Sequence, residues 1–151
     1  MSIEVRTVQA KDVTDVFAKR VSFLASQLRG APVTVTREWL RNLMEFPKTW
    51  MLIGEVEGEI AGMLTLSAFP RAFGWTVWIE GVVTEENVRN RGMGRALMKK
   101  AIAISKAVPF KETLDEDSRT QRYSDRYERS LSAFLLQYSP GRDRLRTLCR
   151  V

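Results

Sequence analysis

The order of apolar and polar residues divides the first part of the chain into predicted strands and helices. Apolar and polar residues alternate over residues 3–8, which predicts a first strand. Apolar residues recur at helical spacing over residues 10–29 and 34–46, and glycine or proline follows each segment, which predicts two helices. Asp12 or Thr14 is a candidate cap for the first helix. In the second helix, the aromatic side chains of Trp39 and Phe46 are interpreted as core residues.

Three further runs are rich in β-branched and aromatic residues, and they predict strands at residues 50–56, 60–69 and 75–83. Glu57, Gly58 and Glu59 separate the first two runs, a spacing typical of a tight hairpin. After Gly94 the apolar residues return to helical spacing, which predicts a third amphipathic helix with its lysines toward water.

The pattern weakens beyond residue 108. It predicts a polar helix at residues 118–131 and strands at residues 109–114, 133–138 and 145–151. All lysines lie at or before Lys111, whereas eight arginines follow it. We expect one α/β domain over residues 1–151, in which residues 111–151 are atypical.

Composition limits the classes of function. The 151 residues carry a net charge of +6, so an anionic partner is plausible, although solubility alone would also explain the charge. No nucleic-acid-binding signature is present, and we do not expect nucleic acid as a partner. No apolar run approaches the roughly 20 residues of a membrane span, and no signal peptide precedes the first strand. With the single cysteine Cys149, these features predict a cytoplasmic protein that does not act at a membrane.

The chain contains no histidine, which removes the commonest metal ligand and the commonest general base. We therefore predict no metal site. Any general base must be a carboxylate, a tyrosine, a water molecule or the backbone.

A basic glycine turn lies between the third predicted β-run and the helix that follows it. Residues 89–94 read Arg-Asn-Arg-Gly-Met-Gly, an R-x-x-G-x-G arrangement. Glycines let backbone amides approach a ligand closely, and a helix N-terminus directs free N–H groups and a positive dipole end toward it. With Arg89, Arg91 and Arg95 nearby, the expected ligand is a phosphate or pyrophosphate. The spacing fits neither a dinucleotide-binding glycine motif nor a P-loop.

This turn, placed after strand, helix, helix and three strands, resembles the GNAT superfamily of acyl-coenzyme-A-dependent N-acetyltransferases. The resemblance covers roughly residues 3–107 and is sharpest over residues 82–98. It implies a mixed, mostly antiparallel central sheet of about six or seven strands flanked by about four helices. It also implies acetyl-CoA as the acyl-donor cosubstrate, and a homodimer, because family members are often dimers.

The resemblance assigns roles to the backbone around the turn. The strand end Gly81, Val82 and Val83 would pair with the pantetheine arm, and Arg89 would frame the turn. The pyrophosphate would lie on the amides of the following residues: Arg91, Gly92, Met93, Gly94, Arg95 and Ala96. The acceptor would be the primary amine of a small molecule or a peptide, which attacks the acetyl group directly in a ternary complex.

Two residues are candidates for acid–base catalysis. Glu80 is the candidate base that accepts the amine proton, and an ordinary strand carboxylate is its equally weighted alternative. The N–H of Val82 or Val83 would polarise the thioester oxygen. Many family members protonate the departing thiolate with a tyrosine on the last helix, in a Phe-Tyr-Glu-Lys-x-Gly-Phe-like segment. Tyr127 is the nearest match here, although arginine replaces the preceding aromatic residue and the glycine is missing.

Two other functions and a different origin of the C-terminal region are also compatible with the sequence. A non-catalytic GNAT-like module could bind acyl-CoA or a partner without turnover, and a basic nucleic-acid-binding domain is a weaker alternative. The loss of lysine after Lys111 is also the pattern that a reading-frame shift would leave. Translation of the coding DNA in its other two frames tests that hypothesis.

Overall fold

The computed structural model describes residues 2–72 and 74–107. The elements in chain order are β1 (Ile3–Thr7), a 3-10 turn (Ala10–Asp12), α1 (Asp15–Arg29), α2 (Arg37–Glu45), β2 (Thr49–Val56), β3 (Glu59–Arg71), β4 (Gly74–Thr84), a second 3-10 turn (Glu86–Val88) and α3 (Met93–Ala107). The predicted order of strands and helices is confirmed over this part of the chain. The strands and the helix predicted beyond residue 108, together with Tyr127 and Cys149, lie outside the described residues.

The four described strands form one antiparallel sheet in the order β1-β2-β3-β4. The predicted hairpin between β2 and β3 is confirmed. Its two turn residues, Glu57 and Gly58, have φ of 53° and 84°, the left-handed values that a type I′ hairpin turn requires. The fold is thus a mixed α/β fold around an antiparallel sheet, with four strands and three α-helices among the described residues.

Threonine caps set where the first two helices begin. Thr14 Oγ1 accepts a hydrogen bond from the Phe17 backbone N–H at 3.1 Å, and Thr36 Oγ1 accepts one from Trp39 at 3.1 Å. Because Thr14 is extended, the single helix predicted over residues 10–29 is in fact a 3-10 turn followed by α1. Gly30 ends α1 with a left-handed φ of 67°.

The sheet separates two hydrophobic cores. On one face, α3 packs with Leu97 and Ala101 against buried residues of β2, β3 and β4: Leu52, Leu64, Leu66, Val77 and Ile79. On the opposite face, α1 and α2 cover a second set of buried strand residues: Met51, Ile53, Met63 and Val83. The sequence interpretation of Trp39 and Phe46 as core residues is wrong, because these side chains are 62% and 63% exposed. Leu40 is the residue of α2 that is fully buried.

A β-bulge changes the direction of β4 near its end. Glu80 and Val83 are separated by two residues, whereas their partners on β3, Thr65 and Met63, are separated by one. Gly81 lies in the bulge with a φ of 64°, the left-handed conformation that favours glycine at this position. The extra residue reverses the side-chain alternation, so Val83 packs with α1 and α2 although Ile79 packs with α3.

Candidate active site

The glycine turn forms the N-terminus of α3. Asn90 and Gly92 have φ of 64° and 92°, and the Gly92 carbonyl accepts the first helical hydrogen bond from the Ala96 N–H at 2.9 Å. The helix begins at Met93, so the sequence prediction of a helix after Gly94 is wrong at this boundary. Gly94 lies in the first turn of the helix instead. The first N–H groups of α3 therefore have no acceptor within the helix, an arrangement that favours an anion at this end.

Two strand glycines fix the start of α3 against the sheet. Gly54 and Gly62 are direct partners across β2 and β3. A Cβ on Gly54 would lie 2.1 Å from the Met93 sulfur, and one on Gly62 would lie 3.0 Å from Met93 Cγ. The same Gly62 position is 3.1 Å from the Val83 carbonyl oxygen. Close packing at these glycines thus places the helix N-terminus beside the bulged end of β4.

Three arginines surround this helix end, as the sequence indicated. Arg91 and Arg95 are exposed, and Arg89 is half-buried with a guanidinium nitrogen 3.8 Å from a Glu86 carboxylate oxygen. Their charge adds to the positive end of the helix dipole. The arrangement suits a polyanionic ligand.

The candidate base lies immediately before the bulge. Glu80 is exposed on β4, directly opposite Thr65 of β3. Among the described residues, no hydrogen bond or ion pair to Glu80 is found, so its carboxylate faces solvent. Val82 is half-buried against the core on the α3 side, and Val83 is buried on the other side, so both side chains pack into the fold.

Helix α1 is tied to the start of β3 and to the end of β4 by polar contacts that sequence reasoning missed. Arg20 donates from Nε to the Ile60 carbonyl at 2.7 Å and forms an ion pair with Glu85. Gln27 donates to the Thr84 carbonyl at 2.8 Å. These contacts hold the strand end that leads into the glycine turn. The sequence carries no periodic signal for them, since the partners are far apart along the chain.

A cavity of about 460 Å³ lies elsewhere, at the β1 edge, and is lined by Arg6, Thr7, Gln9, Lys11, Asp12 and Lys100. Arg6 is held there by Asp12 at 2.8 Å and by Glu55 at 3.0 Å. Burial raises the pKa of Asp12, but hydrogen bonds from Arg6 and the Gln9 N–H, with nearby positive charge, more than offset this and lower it below its ordinary value. This network stabilises the fold and is separate from the glycine turn.

The family comparison agrees with this geometry. Residues 19–129, more than half of the chain, match the model of the Acetyltransferase (GNAT) family. The protein belongs to this family. The match extends past Lys111 and includes Tyr127, while residues 130–151 lie beyond it.

Several solved structures that are similar to this chain are acetyltransferases. An acetyltransferase from Trypanosoma brucei is 20% identical with a TM-score of 0.60, covering 97% of this chain and 99% of its own. A ribosomal-protein-alanine N-acetyltransferase from Brucella melitensis biovar Abortus 2308 is 15% identical with a TM-score of 0.63, covering 100% and 99%. An aminoglycoside acetyltransferase from an uncultured soil metagenomic sample is 13% identical with a TM-score of 0.64, covering 99% and 95%. At these identities the likeness shows the fold. No curated protein sequence matches the chain.

Within residues 2–72 and 74–107, no group of three or more acidic, cysteine or histidine side chains is placed to hold a metal ion. In the same part of the chain, no helix is both long enough and apolar enough to cross a membrane.

Proposed function

We propose that this protein is an N-acetyltransferase that moves an acetyl group from acetyl-CoA to the primary amine of a small molecule or peptide, by direct attack in a ternary complex. The observation that carries the proposal is the close packing of the α3 N-terminus beside the bulged end of β4, at Gly62 and Val83. One surface thus offers both a strand backbone and a set of free helix amides.

The donor site, which we define as residues 81–83 and 89–96, fits acetyl-CoA on physical grounds. A Cβ at Gly81 or Gly92 would meet nothing within 4 Å, so there is open space beside the backbone at both positions. A diphosphate needs several convergent donors, which the amides of residues 91–95 and the nearby arginines would supply. The predicted contribution of the Ala96 N–H is not retained, because it donates to the Gly92 carbonyl. The backbone of residues 81–83 would pair with the pantetheine arm, as an added strand does. When bound, acetyl-CoA supplies an activated acetyl thioester.

Acid–base chemistry on the protein would begin at Glu80. Its exposed carboxylate lies one residue before the donor site, where it can accept the ammonium proton directly or through one water molecule. The backbone N–H of Val82 or Val83 would polarise the thioester carbonyl. Tyr127 is the proposed acid for the departing thiolate. The names of two structural relatives refer to an aminoglycoside and to ribosomal-protein alanine, which is compatible with both acceptor types.

We further propose that the complete fold contains a mixed, mostly antiparallel sheet of about six or seven strands flanked by about four helices. The homodimer and the cytoplasmic location expected from the sequence stay proposals. Sedimentation of the full chain at several concentrations would test the homodimer.

The test has two stages. Saturating acetyl-CoA should stabilise the protein by more than about 2 kcal/mol, which for a chain of this size raises Tm by roughly 5 °C or more. Coenzyme A-dependent thiol release is then measured with a panel of small amines and short peptides. Absence of a Tm shift would refute the donor site. A shift with no thiol release from any acceptor would favour the non-catalytic binding module instead.

A further inference from the structure

The register of the sheet places an aromatic pair on the same face as Glu80. Direct partners across β3 and β4 include Thr65 with Glu80 and Ser67 with Trp78. Val77 and Ile79 pack toward α3, so the alternating residues Trp78 and Glu80 project from the opposite face. Successive residues on one face of a strand are about 7 Å apart. A ligand bound at the Glu80 carboxylate can therefore also contact the Trp78 indole.

The cover provided by α1 and α2 ends at this point of the sheet. One row of cross-strand partners, Ile53, Met63 and Val83, is fully buried under the two helices. In the next row the exposure increases from buried Met51 through half-buried Thr65 to exposed Glu80. Glu80 therefore marks the boundary between the covered and the accessible parts of this face.

Beyond Glu80 the accessible part is aromatic. The rings of Phe69 and Trp78 have centroids 6.4 Å apart and are tilted by 38°, and Phe69 is 39% exposed. The hydroxyl groups of Thr49 and Ser67 lie beside them, 3.3 Å apart. We call Thr65, Ser67, Phe69, Trp78 and Glu80 the acceptor face.

Charge along this face distinguishes between classes of amine. Glu80 supplies negative charge at one end, and the exposed Arg71 continues the same alternation on β3 at the other end. A polycation would be attracted by Glu80 but repelled near Arg71. A monoamine with a flat apolar body would place its ammonium group at the Glu80 carboxylate and its body against two aromatic rings, which bind apolar surface.

We propose that the acceptor face selects monoamines with an aromatic or flat apolar body, held by Phe69 and Trp78 while the amine reaches Glu80. This inference rests on the proposed acetyltransferase function and adds the substrate class. Phe69 and Trp78 would determine specificity, because their contacts with an aromatic acceptor lower its KM.

The test measures thiol release by the full chain with phenethylamine, ethanolamine and putrescine. We expect kcat/KM for phenethylamine to exceed that for the other two by about tenfold, the size of a good aromatic contact. Trp78→Leu keeps an apolar side chain and should remove most of that preference by raising KM for phenethylamine. Phe69→Leu provides a second, independent variant. Trp39→Leu is the matched control, because Trp39 is an exposed tryptophan on α2 and should leave the preference unchanged.

The outcomes separate this inference from the proposed function. Equal kcat/KM for the three amines, or an aromatic preference that survives in both Trp78→Leu and Phe69→Leu, would overturn the aromatic subsite and leave the acetyltransferase proposal intact. Acetyl-CoA binding without acetylation of any of the three amines would also overturn it. If acetyl-CoA fails to raise Tm of the unmodified protein, the proposed function fails, and the acceptor inference fails with it.

Discussion

The donor site and the acceptor face lie next to each other but are built from different parts of the polypeptide. The donor site uses backbone: a bulge at Gly81, a left-handed Gly92 and the first amides of α3. The acceptor face uses side chains from two strands, brought together by the sheet register. Backbone geometry suits a cosubstrate that is the same throughout a family, whereas exposed side chains can change without disturbing the fold. The two sites should therefore respond to different substitutions.

The substitution with the largest expected effect is at Glu80, and it should affect catalysis without affecting the donor site. Glu80→Gln keeps the size of the side chain but removes the proton acceptor, and kcat should fall by roughly 100-fold or more. The Tm increase with acetyl-CoA should be unchanged, because the carboxylate is outside the donor site. Glu59→Gln, at an exposed strand carboxylate of β3, is the control. An equal loss in both variants, or no loss in Glu80→Gln, would contradict the role of Glu80.

A matched pair of glycines tests the donor site. Gly92 and Gly30 both have positive φ, and neither has an atom within 4 Å of an added Cβ. Gly92→Ala and Gly30→Ala should each lose about 1 kcal/mol of stability from backbone strain. Only Gly92→Ala should also weaken acetyl-CoA binding, by about tenfold as measured by calorimetry. Similar acetyl-CoA affinities in the two variants would mean that the turn does not bind the donor.

The packing that positions α3 can be tested by a double-mutant cycle. Gly54→Ala places a Cβ 2.1 Å from the Met93 sulfur, and Met93 is only 1% exposed. Such overpacking should cost about 1–3 kcal/mol in the free energy of unfolding. Met93→Ala leaves a cavity, and the double variant should be more stable than the sum of the two losses predicts. Strict additivity in chemical denaturation would show that the two residues do not contact each other.

These positions also show how far the sequence could predict the molecule. The proposed donor site lies within residues 81–96, so glycine spacing and the change from strand to helix pattern in the sequence were enough to predict its position, and its role stays a prediction. The close approach of Met93 to Gly54 and Gly62 could have been suspected, because an isolated glycine within a strand often marks close backbone contact. The contact between Phe69 and Trp78 could not be predicted from the sequence, because it depends on the register between β3 and β4.

The burial of α2 and the course of β4 differ from what the sequence pattern indicated, for physical reasons. Trp39 and Phe46 are apolar and lie on an amphipathic segment, but burial of α2 is limited to a narrow stripe around Leu40. The regular strand pattern over residues 75–83 also gave no sign of the bulge. A single left-handed glycine at Gly81 reverses the alternation there, which places Val83 with α1 and α2.

The substitution with the smallest expected effect is at Asp12, which is remote from both sites and contributes to stability. The lowered pKa of Asp12 means that the unfolded chain binds more protons than the folded one, so this residue stabilises the fold above its unfolded pKa of 3.8. That stability is lost as pH falls through the folded pKa. Asp12→Asn should reduce stability at neutral pH by about 1 kcal/mol and flatten the acid limb of a Tm–pH curve. Catalytic constants should not change. An unchanged acid limb would contradict the network at Arg6.

Hydrogen exchange with and without acetyl-CoA tests the central claim most directly, since that claim concerns backbone amides. We predict that acetyl-CoA alone slows exchange at residues 82–83 and 91–95 and leaves residues 65–69 of β3 unchanged. Addition of an acceptor amine together with coenzyme A should then slow hydrogen exchange at residues 65–69 of the acceptor face. Unchanged exchange across the glycine turn at saturating acetyl-CoA, or protection confined to other parts of the chain, would contradict the account.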